Sequence, residues 1–316
     1  VGYAAGAAVT TGAQNTLVGA LAGSSLTTGE KNTAIGKSAL LTEDTGDRNV
    51  AVGWGALQTL NYNGSGYNVA VGYDSGVNLS TGVNNTLIGS LAGDALTTGT
   101  NNVAMGYGAL GSEDTGGQNV AIGVNALNTL NYAGNGMNVA VGYNAGVLMT
   151  TGLNNTLIGG TAGGAILGAN DNVCIGAYSG DSITVGVRNT AVGTFALSAE
   201  DGNGYNVAVG HGALLNQNAG TDAHNTAVGY SAGSVITTGV RNTILGANAG
   251  DALTTGSYNV AVGYDALSTE DGNGRNVAVG YQALLTQNAG ADAYNVAIGF
   301  YAGTAVTTGY ENTFIG

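Results

Sequence analysis

Acidic dipeptides are the residues of this sequence that most resemble a chemical site. Glu-Asp occurs four times, and two copies continue as Glu-Asp-Gly-Asn-Gly. The oxygen-bearing residues of those two segments are candidate calcium ligands: Glu200, Asp201, Asn203, Glu270, Asp271 and Asn273. A calcium loop needs several further oxygen ligands at set spacing, and successive Glu-Asp pairs lie too far apart in the sequence to share one ion. We therefore expect solvated turns here, with calcium as the alternative and no other cofactor.

The remaining reactive residues do not form a catalytic pattern. His211 and His224 are 13 residues apart, without the Cys or carboxylate spacing of a metal site or a catalytic triad. The single cysteine, Cys174, cannot form an intrachain disulfide, and we expect it to be a small buried side chain. Polysaccharide cleavage would need carboxylates gathered together. The sequence therefore predicts a protein that is not an enzyme.

Aromatic residues recur at one place, directly after the pentapeptide Asn-[Thr/Val]-x-aliphatic-Gly. Such a column could stack on the sugar rings of a receptor, stack on itself, or fill the gap between chains. Packing is the preferred interpretation, and receptor contact is the alternative. His211 and Phe300 share the place, and the candidates for receptor contact are Trp54, Tyr73, Tyr107, Tyr143, Tyr230, Tyr264 and Tyr281.

The pentapeptide marks an internal repeat that runs through the whole chain. It occurs eighteen times, at steps of 17 residues with four steps of 19, and every fourth copy lies 70 residues further on, as from Asn15 to Asn85. A period of this length fits one turn of a solenoid. We therefore expect residues 1–316 to form one continuous array of four-coil blocks. Both ends fall within a repeat, so we expect a fragment of a longer fibre.

The coil, numbered from its Asn at position 1, predicts strand and turn. Position 2 is Thr or Val and position 4 is aliphatic, so both lie on one face of a strand, while position 3, mostly Ala, lies on the other. The invariant Gly at position 5 indicates a positive φ or close backbone contact, and Gly at position 15 indicates a second turn. The Asn column is expected to form a hydrogen-bonded ladder. Representative turn residues are Asn32, Gly36, Asn68, Gly72, Asn225 and Gly229.

These features predict an all-β parallel β-solenoid of about eighteen coils, each with two short strands joined by two Gly turns. Where position 9 is Gly, position 12 is usually aliphatic, and where position 9 is Leu, position 12 is usually polar. This compensation indicates a closely packed coil interior. Both faces of the first strand are apolar and a thin coil can bury only one of them. We therefore expect a symmetric homo-oligomer, a homotrimer, with the small-residue face at the shared axis.

Composition excludes several classes of protein. The chain has 58 Gly and no Pro, which excludes collagen and disfavours helices. A net charge of −13 argues against nucleic acid and against an anionic membrane surface as partners. No apolar run reaches the ~18 residues that a membrane-spanning helix needs, so we expect no membrane insertion.

The repeat resembles two families of fibrous proteins. Asn-Thr-Ala-Ile-Gly (32–36), Asn-Val-Ala-Val-Gly (68–72) and Asn-Thr-Ala-Val-Gly (225–229) resemble the head repeats of trimeric autotransporter adhesins. The longer phrase from 225 to 239 resembles the arrays of phage tail fibres and related tail-fibre-domain proteins. Both resemblances imply a trimeric parallel β-roll outside the cell, on a virion or on a bacterial surface.

The expected function is therefore a structural or adhesive fibre segment. The first hypothesis is the shaft or head of a trimeric phage tail fibre that presents a receptor-binding tip. The alternative is a bacterial surface adhesin that itself contacts a cell-surface glycan or protein. Thr-Thr pairs, as at 27–28 and 97–98, raise a third hypothesis, an ice-binding solenoid. It is disfavoured because adjacent Thr side chains face opposite ways.

Overall fold

The computed structural model describes residues 1–316 and contains eighteen three-residue strands and no helix. No helix in it is therefore long and apolar enough to cross a membrane. The chain divides into two compact units, Val1–Asn155 and Thr156–Gly316. The first unit holds β1 (Thr16–Val18), β2 (Thr33–Ile35), β3 (Val50–Val52), β4 (Val69–Val71), β5 (Thr86–Ile88), β6 (Val103–Met105), β7 (Val120–Ile122) and β8 (Val139–Val141). The second holds β9 (Thr156–Ile158), β10 (Val173–Ile175), β11 (Thr190–Val192), β12 (Val207–Val209), β13 (Thr226–Val228), β14 (Thr243–Leu245), β15 (Val260–Val262), β16 (Val277–Val279), β17 (Val296–Ile298) and β18 (Thr313–Ile315).

Within each unit every strand pairs in parallel with the strand of the next coil, and equivalent residues lie opposite each other. In the first unit Thr16 opposes Thr33 and Val18 opposes Ile35. In the second, Val260 opposes Val277 in the same register. The fold is therefore the predicted parallel β-solenoid, with one strand from positions 2 to 4 of each coil.

The strand places position 3 inside the coil. Ala34, Ala51 and Ala70 are fully buried, whereas their neighbours at positions 2 and 4 are half-buried or exposed. The prediction that the small-residue face meets other chains is therefore wrong, because that face forms the core of its own coil. The face that points outward carries the β-branched residues of positions 2 and 4, and we call it the strand face.

The coil interior is filled from positions 3, 8, 9 and 12. Where position 3 is large, position 9 is Gly, because a Cβ at Gly23 would lie only 2.8 Å from Leu17 Cδ2. A Cβ at Gly93 would lie equally close to Leu87 Cδ2. The exchange of volume inferred from the sequence is thus real, but position 3 takes part in it. Position 12 stays buried even where it is polar, as at Glu43.

Gly at position 5 is required for two reasons. Its φ lies near +130 to +146°, at Gly89 and Gly72 for example, a region open essentially to glycine alone. A Cβ at Gly89 would also lie 2.6 Å from the carbonyl oxygen of Gly106 in the next coil. Both explanations suggested by the sequence are therefore confirmed at this position.

Three further positions in each coil adopt left-handed backbone, and in many coils the residue there is not Gly. Leu21 at position 7, Leu40 at position 9 and Arg48 just before the next Asn have φ of 63, 51 and 60°. This geometry turns each N–H along the stack: Leu40 donates to the Ala56 carbonyl at 3.0 Å, and Arg48 donates to the Glu30 carbonyl at 3.0 Å. The hydrogen bonds between coils offset the steric cost of the left-handed region.

The second strand predicted for each coil is absent. Positions 12 to 14 form an irregular segment with a backbone bond to the next coil, as from the Thr27 N–H to the Asp44 carbonyl at 2.7 Å. Only two isolated bridges, Asp47 with Ser65 and Gly117 with Asn135, lie outside the strands. The prediction of two strands per coil is therefore wrong, since the N–H groups of Thr27 and Thr28 share the single carbonyl of Asp44 and so do not build a ladder.

Candidate functional site

The Asn column joins each coil to its neighbours. Asn32 is buried, its Nδ2 donates to the Gly46 carbonyl at 2.7 Å, and its Oδ1 accepts from the Asn49 N–H at 2.9 Å. Asn68 makes the same bonds with Gly82 and with the N–H of Asn85. Asn225 bonds Gly239 and the N–H of Asn242. The amides therefore form a buried ladder that also closes the turn at position 15.

The predicted turn glycines at position 5 lie where the backbones of adjacent coils come closest. Gly36, Gly72 and Gly229 have φ of 137, 146 and 143°. A Cβ at any of them would collide with the backbone of the position 5 Gly in the next coil. They are thus part of the stacking contact.

The glutamates of the Glu-Asp pairs lie in the coil interior. Glu43, Glu113, Glu200 and Glu270 are fully buried at position 12. The expectation of solvated turns is wrong for these glutamates, because their carboxylates bind backbone N–H groups that would otherwise be unpaired. The Asp of each pair is half-buried or exposed, as at Asp44 and Asp201.

Glu200 and Glu270 bind the Asn three residues further on. Glu200 Oε1 accepts from the Asn203 N–H at 3.0 Å and from Asn203 Nδ2 at 2.6 Å. Glu270 and Asn273 repeat this pair of bonds at 3.2 and 2.5 Å. The amide nitrogen of the Asn thus donates to the same carboxylate oxygen that a cation would need as a ligand. No group of three or more His, Cys, Asp or Glu side chains is placed to hold a metal ion.

Burial dominates the titration of these carboxyls. It raises the pKa of Glu43, Glu113, Glu200 and Glu270, while the hydrogen bonds that they accept lower it by less. The charged form therefore costs free energy in the folded state.

The sulfur and imidazole groups have structural surroundings. Cys174 is free and buried at position 3, as expected, and burial raises the pKa of its thiol to about 12. His211 stacks on Tyr230 with ring centroids 5.5 Å apart, and His224 stacks on Tyr205 at 5.0 Å. The two histidines thus belong to separate aromatic columns.

The aromatic residues of position 6 stack on one another along the units. Trp54 lies between Lys37, whose Nζ is 5.9 Å from the ring centroid, and Tyr73, stacked at 5.0 Å. Tyr281 lies between Tyr264 at 5.5 Å and Phe300 at 5.1 Å. Both faces of Trp54 and Tyr281 are therefore covered, so neither can stack on a sugar.

The other candidates for receptor contact keep more of their surface. Tyr107 and Tyr143 are exposed and make no ring contact. Tyr73, Tyr230 and Tyr264 each stack on one neighbour only. Among the candidates for receptor contact, these five tyrosines thus keep a free ring face.

A second exposed column, of cations and aromatics, was missed from the sequence. It consists of the residues directly before each Asn, which we call the pre-Asn column. Arg241 Nη1 donates to the Tyr258 hydroxyl at 2.6 Å and its guanidinium lies 5.5 Å from that ring centroid. Seven successive coils contribute Arg188, Tyr205, His224, Arg241, Tyr258, Arg275 and Tyr294. Aligning the coils on their Asn would have shown the alternation.

Charge is segregated around the coil. All six Lys and Arg residues occupy the pre-Asn column or position 6, the two columns that flank the strand face. Asp171 and Glu311 are the only acidic residues in these columns or at positions 2 and 4. The strand face and its borders are therefore nearly free of carboxylates in a chain of net charge −13.

The two residues of each Thr-Thr pair named above have different surroundings. Thr27 Oγ1 donates to the Asp44 carbonyl at 3.0 Å, and Thr97 Oγ1 donates to the Asp114 carbonyl at 3.1 Å. Thr28 and Thr98, the second members, are exposed. One hydroxyl of each pair thus bonds the next coil.

The structure has no enclosed cavity, so its candidate functional surfaces are the strand face and the two columns beside it. Comparison of the chain with protein-family models and with curated proteins finds no match.

Proposed function

We propose that this chain is a structural segment of an extracellular homotrimeric fibre, the shaft or head of a phage tail-fibre type of assembly that presents a receptor-binding tip. The observation that carries the proposal is the repetition of one complete set of bonds between coils. Strand pairing, the Asn ladder and the left-handed N–H groups link each coil to the next within each unit. Such a stack resists bending and needs no ligand.

The strand face supplies the surface through which copies of the chain associate. It is apolar, with Val18 41% and Ile298 43% exposed, and the pre-Asn column on one of its borders carries Tyr and Arg. Tyr and Arg are enriched at protein interfaces, whereas acidic residues are depleted there. Copies that each carry a charge of −13 can approach along this face with little juxtaposition of carboxylates.

A bacterial surface adhesin of the trimeric autotransporter type is the second candidate function. The observation that favours it is the exposed tyrosine surface on position 6, since a tyrosine with a free face can contact a receptor directly. A purely mechanical shaft needs no such surface.

Light scattering after size exclusion tests the assembly. We expect a molar mass near three times 30.8 kDa. Replacing Val209 and Val262, on the strand face, by Lys should dissociate the trimer because it buries charge at the interface. Thr269→Lys, which changes an exposed side chain outside that face, should leave the trimer intact. A monomeric mass for the wild-type chain would exclude the proposed fibre.

A further inference from the structure

The aromatic column of the second unit is interrupted once between His211 and Phe300. In six successive coils, position 6 is His211, Tyr230, Ala247, Tyr264, Tyr281 and Phe300. Rings in adjacent coils stack with centroids 5.1 to 5.5 Å apart. Tyr230 and Tyr264 flank Ala247 and do not contact each other, so one coil of the column carries no ring.

The two flanking rings face this gap. Tyr230 is nearly parallel to His211, with an interplanar angle of 15°, and Tyr264 is nearly parallel to Tyr281, at 13°. Each tyrosine thus lies across the column, with one face covered and the other turned toward Ala247. The two free faces are two coil steps apart, which is the space that one stacked six-membered ring would fill.

The borders of the gap differ in polarity. Leu245, at position 4 of the coil between the two tyrosines, is exposed. On the other side, Asn248 Nδ2 donates to Asp265 Oδ1 at 3.3 Å, and Asp265 Oδ2 accepts from Gln282 Nε2 at 3.1 Å. Each carboxylate oxygen has a second lone pair for another donor. The gap therefore has two aromatic walls, one apolar border and one hydrogen-bonding border.

We propose that this gap, the Tyr230–Tyr264 notch, binds one pyranose ring of an uncharged glycan. The C–H groups on the two faces of a pyranose carry partial positive charge and suit the negative faces of both tyrosines. Its hydroxyl groups can donate to Asp265. The proposal does not rest on the fibre function, because the notch is complete within one chain.

Charge and polarity select this ligand class over others. An anionic ring, such as a nucleotide, would meet the carboxylates of Asp265 and of the nearby Asp251, which interact electrostatically with each other. A purely aromatic ring would leave the polar border unused. An uncharged sugar can stack on both tyrosines and can also donate hydrogen bonds to the polar border.

The first unit also contains two position 6 tyrosines separated by one coil, with a different residue between them. Tyr107 and Tyr143 flank Val124, whose side chain is 41% exposed. Two amides lie beside it, with Asn125 Nδ2 donating to Asn144 Oδ1 at 3.4 Å. Valine extends further into the space than Ala247 does. Tyr73 and Tyr107 also flank the small residue Ser90, but position 7 of the corresponding coils is Leu91 and Gly108, where the second unit has Asn248 and Asp265. The notch of the second unit is therefore the better site.

The affinity for one sugar should be low. The notch is open to solvent and contacts a ligand of about twelve non-hydrogen atoms, for which a Kd on the order of 1 mM is typical. Several chains in one assembly would strengthen binding to a multivalent glycan surface.

Saturation-transfer NMR tests the proposal. The probes are uncharged oligosaccharides of glucose, galactose, mannose and N-acetylglucosamine at millimolar concentration, added to the full chain. We expect transfer to the ring protons of at least one probe and a loss of at least tenfold in affinity in Tyr264→Ala. Ala247→Tyr supplies the missing ring, so it should fold at least as stably and abolish binding.

Ala20→Tyr adds a ring to position 6 outside the notch and serves as the matched control, which should bind as the wild type does. Binding that persists in Ala247→Tyr, or no transfer to any probe from the wild type, would overturn the proposal. The molar mass of each variant, measured on the same samples, separates this result from the test of the fibre, since Ala247→Tyr should leave the trimer intact.

Discussion

Glu43 accepts a hydrogen bond from the backbone N–H of Tyr62, which lies in the next coil, at 3.2 Å from Oε2. Its other oxygen, Oε1, accepts from the Gly46 N–H at 2.7 Å. The next coil is one of the four with 19 residues. Glu113 repeats both bonds, with Gly116 and Tyr132. A buried carboxylate thus ties each long coil of the first unit to the coil before it.

Replacing Glu43 by Leu should destabilise the coil although Leu fits this position elsewhere, as Leu26 and Leu60 show. The reason is that the N–H groups of Gly46 and Tyr62 lose their acceptor, at a cost of about 1–3 kcal/mol for each unsatisfied group. Hydrogen-exchange mass spectrometry should show faster exchange in the peptide that contains Tyr62. Asp44→Ala should leave that exchange unchanged, and equal protection in Glu43→Leu would contradict the assigned role.

The free energy of unfolding should decrease as the pH rises above the pKa of an unfolded carboxyl group. Burial raises the folded-state pKa of Glu43 and Glu113, so the folded chain binds more protons than the unfolded chain between the two pKa values. Their contribution is fully present below the unfolded pKa, about 4.3, and is lost as the pH rises through the folded pKa. Thermal unfolding from pH 4 to pH 7 should therefore give a decreasing Tm.

A double variant isolates this effect from the general repulsion of a chain with net charge −13. Glu43→Gln with Glu113→Gln removes two titrating groups, so Tm should depend less on pH than in the wild type. Asp222→Asn, at an exposed position, should keep the wild-type slope. A double variant with the same slope as the wild type would refute the link to these glutamates.

The fold could be predicted from the repeat because its signals are local. The two β-branched positions flanking a small one predict the strand, and an invariant Gly predicts a backbone that excludes Cβ. The left-handed residues could not be predicted, since Leu40 and Arg48 have no intrinsic preference for positive φ. Hydrogen bonds to neighbouring coils impose that geometry, and a sequence read one coil at a time does not show them.

The sequence placed the side chains less well than the backbone. Alternation told which residues share a face, but it could not tell which face is the core, because both are apolar. Glu200 was likewise expected to be solvated. The sequence does not show which backbone N–H groups a buried carboxylate will bind. The column of aromatics was predicted, but whether each ring has a free face depends on its neighbours in adjacent coils, as Tyr281 and Tyr230 show.

Replacing Asn68 by Ala should destabilise the first unit. The change removes the acceptor of the Asn85 N–H and the donor to the Gly82 carbonyl, both buried. Each group left unpaired should cost about 1–3 kcal/mol. Chemical denaturation should report this loss, whereas Asn63→Ala, at an exposed position, should change stability by less than about 0.5 kcal/mol. Similar midpoints for the two variants would show that the ladder is dispensable.

Gly229→Ala should be among the most damaging substitutions of one methyl group in the chain. Gly229 has φ of 143° and its Cβ would collide with the Gly246 backbone of the next coil, so both the conformation and the stacking contact are lost. We expect more than about 3 kcal/mol of destabilisation, or failure to fold, judged by circular dichroism and denaturation. Gly160→Ala is the matched control, because no atom lies within 4 Å of its Cβ; its stability should stay near that of the wild type. A Gly229→Ala protein as stable as this control would show that coils can move apart without loss.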